Sequence, residues 1–72
     1  MFIELTIEVG QLDNRMLMIR IQDIRSVIEL SEVYTPRCEI LTYSNEVYKV
    51  KESYSDIREQ IEEVLNTYKI EE

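Results

Sequence analysis

Residues 2–9, FIELTIEV, alternate without a break: Ile3, Leu5, Ile7 and Val9 fall on one side, Phe2, Glu4, Thr6 and Glu8 on the other. A period of two over eight residues is the pattern of a strand with one face buried and one face wet. It commits the chain to a sheet. Residues 16–21, MLMIRI, repeat the period with Leu17, Ile19 and Ile21 on one face, and Gly10–Arg15 between the two runs carry Gly, Asp and Asn. An antiparallel hairpin is expected. The other face of the second strand carries Met16, Met18 and Arg20, and two methionines there point to cover by the helix or by another subunit.

Residues 22–26, QDIRS, read as a turn with Ile24 packed inward, and residues 27–30, VIEL, as a third strand. The following stretch, SEVYTPR over 31–37, holds the single proline, which fixes its own φ and drives Thr35 toward an extended conformation. That segment is the expected exposed loop. Residues 38–43, CEILTY, and 47–51, VYKVK, form a second hairpin around Ser44, Asn45 and Glu46, with Asn45 suited to a left-handed turn position. At Ser53 the period changes to three and four, placing Tyr54, Ile57, Ile61, Val64, Leu65 and Tyr68 on one stripe of a helix over about 53–69. Ser53 and Asp56 have the spacing of a helix cap, and Arg58 and Glu62 that of a helical ion pair. The expected fold is α+β: about five short antiparallel strands in a curled sheet or partly open small barrel, then one C-terminal amphipathic helix, all in a single domain over 1–72.

At 72 residues such a domain exposes much of its surface, and one cysteine with no histidine removes the disulfide and zinc staples that small folds use. Self-association is the remaining source of burial, and a homo-oligomer is expected. Ile57, Ile61, Leu65 and Tyr68 are the candidate interface, in competition with packing of the same stripe on its own sheet. A net charge of −7 opposes binding to a nucleic-acid polymer, which depends on cations that displace phosphate counterions. No apolar run reaches membrane-span length, and acids stand in MFIELTIEV where a signal peptide has positive charge. A cytoplasmic protein without membrane insertion is expected, consistent with a lone thiol at Cys38.

Catalysis has little to draw on. No histidine is present as a base, Cys38 lacks a partner and suits packing at a strand start, and a single glycine builds no phosphate loop. Glu4 and Glu8 share a strand face without a third ligand, so no metal or other cofactor is expected. Binding is better supplied. Tyrosines favour contact surfaces, and Tyr34 stands in the proline loop beside Arg37, where an aromatic ring and a guanidinium are candidates to grip an anionic or planar ligand. Arg20, Tyr43 and Tyr48 are further candidates, although Tyr43 and Tyr48 flank the second turn and also suit cross-strand pairing.

The run LTIEVGQLDNRMLMIRIQDIRSVIEL followed by TPRCEILTYSNEVYKVKESYSDI resembles the small FlbD-type flagellar proteins and related short phage and mobile-element proteins. The matching pieces are Ile3 to Thr6, the Ile24 to Val27 turn, Asn45, and the junction Tyr48 to Ser53, YKVKES. The second turn reads SNE where that family usually has Asn-Gly, and the first hairpin is longer. The resemblance implies a non-enzymatic accessory protein. Three functions follow as expectations: a module that binds a host or machinery protein, a phage-type inhibitor that sequesters a small anionic nucleotide between subunits, and a flagellar accessory protein.

Overall fold

A computed structural model describes residues 1–8 and 13–70, the last three of these by backbone alone. Five strands, β1 (Phe2–Glu8), β2 (Asn14–Arg20), β3 (Ile24–Glu29), β4 (Cys38–Thr42) and β5 (Val47–Val50), precede one helix, α1 (Tyr54–Ile70). All strand pairs are antiparallel, and the order across the single sheet is β2-β1-β5-β4-β3. The α+β arrangement expected from the periods is the one found, with the sheet not closed into a barrel. Val9 and the Gly10, Gln11 and Leu12 part of the first turn lie outside the described residues.

The alternation in β1 sorts as its period dictates. Ile3 and Leu5 are buried and Ile7 packs against them, while Phe2, Glu4 and Glu8 face solvent. Cross-strand neighbours complete the core: Ile19 from β2, Cys38 and Ile40 from β4, and Val50 from β5, all covered by Ile57 of the helix. Thr42 is the buried polar residue, and its Oγ1 accepts the Glu46 N–H at 3.0 Å, so it carries no unmet hydrogen bond at that oxygen.

The sheet is rolled by a short connection. Ile21–Asp23 form one 3₁₀ turn between β2 and β3, the two outermost strands. In a flat sheet those strands would lie about 19 Å apart. They are also out of step. Thr42, beside Ile24, lies four residues beyond Cys38, whose level is that of Val50 and Ile7, and Ile7 lies five residues beyond Phe2, the partner of Arg20. That offset adds roughly 30 Å along the strands. From Arg20 to Ile24 the chain reaches at most about 14 Å, so the sheet must coil until the distant corners meet. The turn is held at both ends: the Ile21 N–H continues the β1–β2 ladder to the Met1 carbonyl at 3.0 Å, and the Asp23 carbonyl continues the β3–β4 ladder by accepting the Tyr43 N–H at 2.9 Å.

Two boundaries differ from the sequence reading. The third strand begins at Ile24, not Val27, because Ile24 pairs with Thr42 and a register shift between Ile24 and Ser26 absorbs Arg25. Ile21 opens the 3₁₀ turn instead of ending the strand, while still packing against the core with Leu17 and Ile19. Tyr43 and Tyr48 are not cross-strand neighbours: Tyr48 pairs with Ile40, whereas Tyr43 lies past the end of β4 in the turn. Asn45 does take the left-handed conformation, at φ 66°.

Helix α1 starts where the period predicts. Ser53 Oγ accepts the Asp56 N–H at 3.1 Å, and Arg58 Nε donates to Glu62 Oε1 at 3.1 Å. The stripe lies on its own sheet, with Ile57 1% exposed and Ile61 and Val64 packed against the core. Ile57 is therefore withdrawn from the interface assigned to it by sequence, and Leu65 stays partly exposed at the margin. The Tyr68 side chain lies outside the described residues.

Candidate functional site

Three surfaces collect the side chains that could meet a partner. The first is the loop over residues 30–37, which is tied down at several points. The Leu30 and Ser31 N–H groups both donate to the Arg37 carbonyl at 2.8 and 3.2 Å, and the Arg37 N–H donates to the Val50 carbonyl at 2.9 Å. Within the loop, Ser31 Oγ accepts the N–H groups of Val33 and Tyr34 at 3.1 and 2.9 Å, the geometry of a serine turn. Arg37 Nη2 donates to the Glu32 carbonyl, and its Nε is buried without a partner. The guanidinium is thus engaged in holding the loop. At the tip Val33 and Tyr34 are 77% and 78% exposed.

Tyr34 and Arg37, paired by sequence reasoning, are not brought together: no hydrogen bond or cation–π contact joins them among the described residues. The observed cation–π contact is elsewhere, with the Arg20 guanidinium 6.0 Å from the centre of the Phe2 ring. Arg20 belongs to the second surface, a cleft of about 380 Å³ left open where the rolled sheet fails to close. Phe2, Leu17, Arg20, Asp23, Glu46 and Tyr48 are among its lining residues. Two carboxylates against one guanidinium make its charge mixed. The Glu46 carboxylate accepting from the Tyr48 hydroxyl pushes that phenol up from its ordinary pKa, with burial and the Glu46 charge adding to the shift. Arg20 and Tyr48 are therefore the two ligand candidates that share a cavity. Tyr43 projects into solvent outside it.

The third surface is an apolar groove of about 220 Å³ between α1 and β3, lined by Val27, Tyr54, Ile57, Arg58, Ile61 and Glu62. Arg58 and Glu62 pair with each other along its rim. Cys38 is fully buried, and burial, followed by the Glu29 charge, pushes its thiol above the usual cysteine range despite the opposing Arg37 charge. A thiol held protonated in a core is a packing group. Among the described residues no group of three or more His, Cys, Asp or Glu side chains could hold a metal ion, and no helix is long and apolar enough to cross a membrane.

The outward face of β2 was expected to be covered, yet Met16 and Met18 are 63% and 61% exposed. The helix cannot reach them because it occupies the opposite side of the sheet, where Leu17 and Ile19 point. The signal was present in the sequence as two methionines and an arginine alternating on the face away from Leu17. No family model matches the chain, and neither a curated protein nor a solved structure shows significant similarity to it.

Proposed function

We propose that this chain is a non-enzymatic, homo-oligomeric binding module that acts in the cytoplasm by attaching to another protein, in the manner of a phage or bacterial accessory protein that engages its host's machinery. The observation that carries the reading is the pinned loop. A domain of 72 residues has few large apolar side chains to place, and this one holds Val33 and Tyr34 out in water on a loop fastened by Ser31 and Arg37. An ordered loop loses less freedom on binding, and a tyrosine at its tip supplies contact area with a polar end. The negative surface favours a partner with a basic docking face, approached under electrostatic attraction.

The test is affinity capture from cells of the source organism, comparing the native chain with a Val33→Ser/Tyr34→Ser variant. A recurrent protein held by the native chain and lost at least about tenfold by the variant supports the reading, as expected for a contact hot spot. No recurrent protein, or one retained equally by both, overturns it.

A further inference from the structure

We propose that two copies of the chain pair through β2, antiparallel about a two-fold axis at Leu17, so that the sheet runs from one subunit into the other. The inference rests on the homo-oligomeric part of the function proposed above and gives it a surface and a register.

β2 is an outer strand paired on one side only, with β1, and its register runs unshifted from Asn14 to Arg20. It has no proline and no bulge, two of the devices by which edge strands resist pairing, and its Leu17–Arg20 half borders the open cleft. The other edge differs. β3 carries the register shift at Arg25, and the chain beyond it is tied back to the Arg37 carbonyl.

The strand also nearly mirrors itself. In N-R-M-L-M-I-R, a two-fold at Leu17 sets Leu17 opposite Leu17, Met16 opposite Met18, Arg15 opposite Ile19 and Asn14 opposite Arg20. Side chains directly opposite point to the same side, so all four exposed methionines of the pair share one face and both leucines the other. A slip of one residue would place each leucine against the partner's methionine face and undo this match. A core of seven buried apolar residues among those described leaves room for such added burial.

Sedimentation equilibrium of three full-length proteins tests the register. The native chain is expected to dimerise. Met16→Lys/Met18→Lys sets like charges opposite in both cross-strand pairs and is expected to raise the dimer dissociation constant at least about tenfold. Met16→Glu/Met18→Lys sets opposite charges in the same pairs and is expected to stay within about threefold of the native value. All four substituted positions in each dimer are exposed in the subunit, and circular dichroism checks that each variant is folded. As a second measurement, Leu17→Cys is expected to give a disulfide-linked dimer on mild oxidation, Cys38 being buried. A native dimer that ignores both charge variants, or loses stability equally in both, overturns the β2 register while leaving self-association intact, as does absence of the Leu17→Cys cross-link. A monomeric native chain overturns the pairing and self-association together, and the loop-dependent capture of a partner is then judged separately.

Discussion

The Glu52 carboxylate holds Thr6 twice: Oε1 accepts the Thr6 main-chain N–H and Oε2 accepts the Thr6 hydroxyl, both at 2.8 Å. Beside it the Lys51 N–H donates to the Thr6 carbonyl at 2.9 Å. Among the described residues β1 and β5 share one ladder pair, Ile7 and Val50, and this clasp extends their contact just where β5 gives way to the helix. Hydrogen bonds to a charged group contribute about 1.5–3 kcal/mol. Glu52→Ala is therefore expected to lower unfolding stability by about 2 kcal/mol, and Glu52→Gln, which keeps one acceptor oxygen, by less. Urea denaturation of the three proteins checks the order.

Ile57 and Leu65 belong to the same helical stripe and are expected to behave differently. Ile57→Ala empties a position 1% exposed in the core and should cost about 2–5 kcal/mol. A domain of this size has about 4–11 kcal/mol in all, so the variant sits near unfolding at room temperature. Leu65→Ala removes a partly exposed side chain and is expected to stay within about 1 kcal/mol. Thermal melts followed by circular dichroism separate the two.

The alkaline limb of stability is set by Cys38 and Tyr48. Both are acids whose neutral form the fold favours, Cys38 through burial and Tyr48 through its bond to Glu46, so both folded pKa values lie above the ordinary 9.0 and 10.0. Such groups contribute fully below their unfolded pKa, and the contribution is lost as pH rises through the folded value. The urea midpoint is expected to fall as pH rises past the ordinary cysteine and tyrosine values of 9.0 and 10.0, and Cys38→Ala should remove the earlier part of that fall. A native Cys38 should also resist a thiol reagent until denaturant is added.

Asn45 occupies φ 66° in the turn between β4 and β5, where the Thr42 carbonyl accepts its N–H at 3.1 Å. A β-branched residue is poorly tolerated there. Asn45→Val is expected to cost about 1–2 kcal/mol, while Asn45→Gly should be neutral or slightly stabilising. Chemical denaturation of both variants is the check.

Local signals in this chain were readable because each depends on near neighbours. The period of β1, the left-handed Asn45, the Ser53 cap and the change of period at the helix all follow from residues within a few positions of one another. The roll of the sheet does not. It depends on the three-residue turn Ile21–Asp23 joining the two outermost strands across their offset, which follows from the pairing of the whole sheet and not from any local side-chain pattern. The Thr6–Glu52 clasp joins residues 46 apart in sequence and was hidden for the same reason. The candidate site shows both cases. Tyr34 is exposed as its loop implied, but Arg37, adjacent in the sequence argument, is turned to the Glu32 carbonyl by the path of the loop. Of the two covers expected for Met16 and Met18, the helix is ruled out because it packs on the other face of the sheet.

The position of β1 between β2 and β5 in the order β2-β1-β5-β4-β3 bears on how the chain is made. A ribosome delivers β1 and β2 early, and an isolated hairpin of that size is marginal in water. Its second neighbour, β5, and the helix that packs with Ile3 and Leu5 emerge only after β3 and β4. Until then Ile3 and Leu5 lack most of the apolar partners that bury them, so the core closes only when the second half of the fold is delivered.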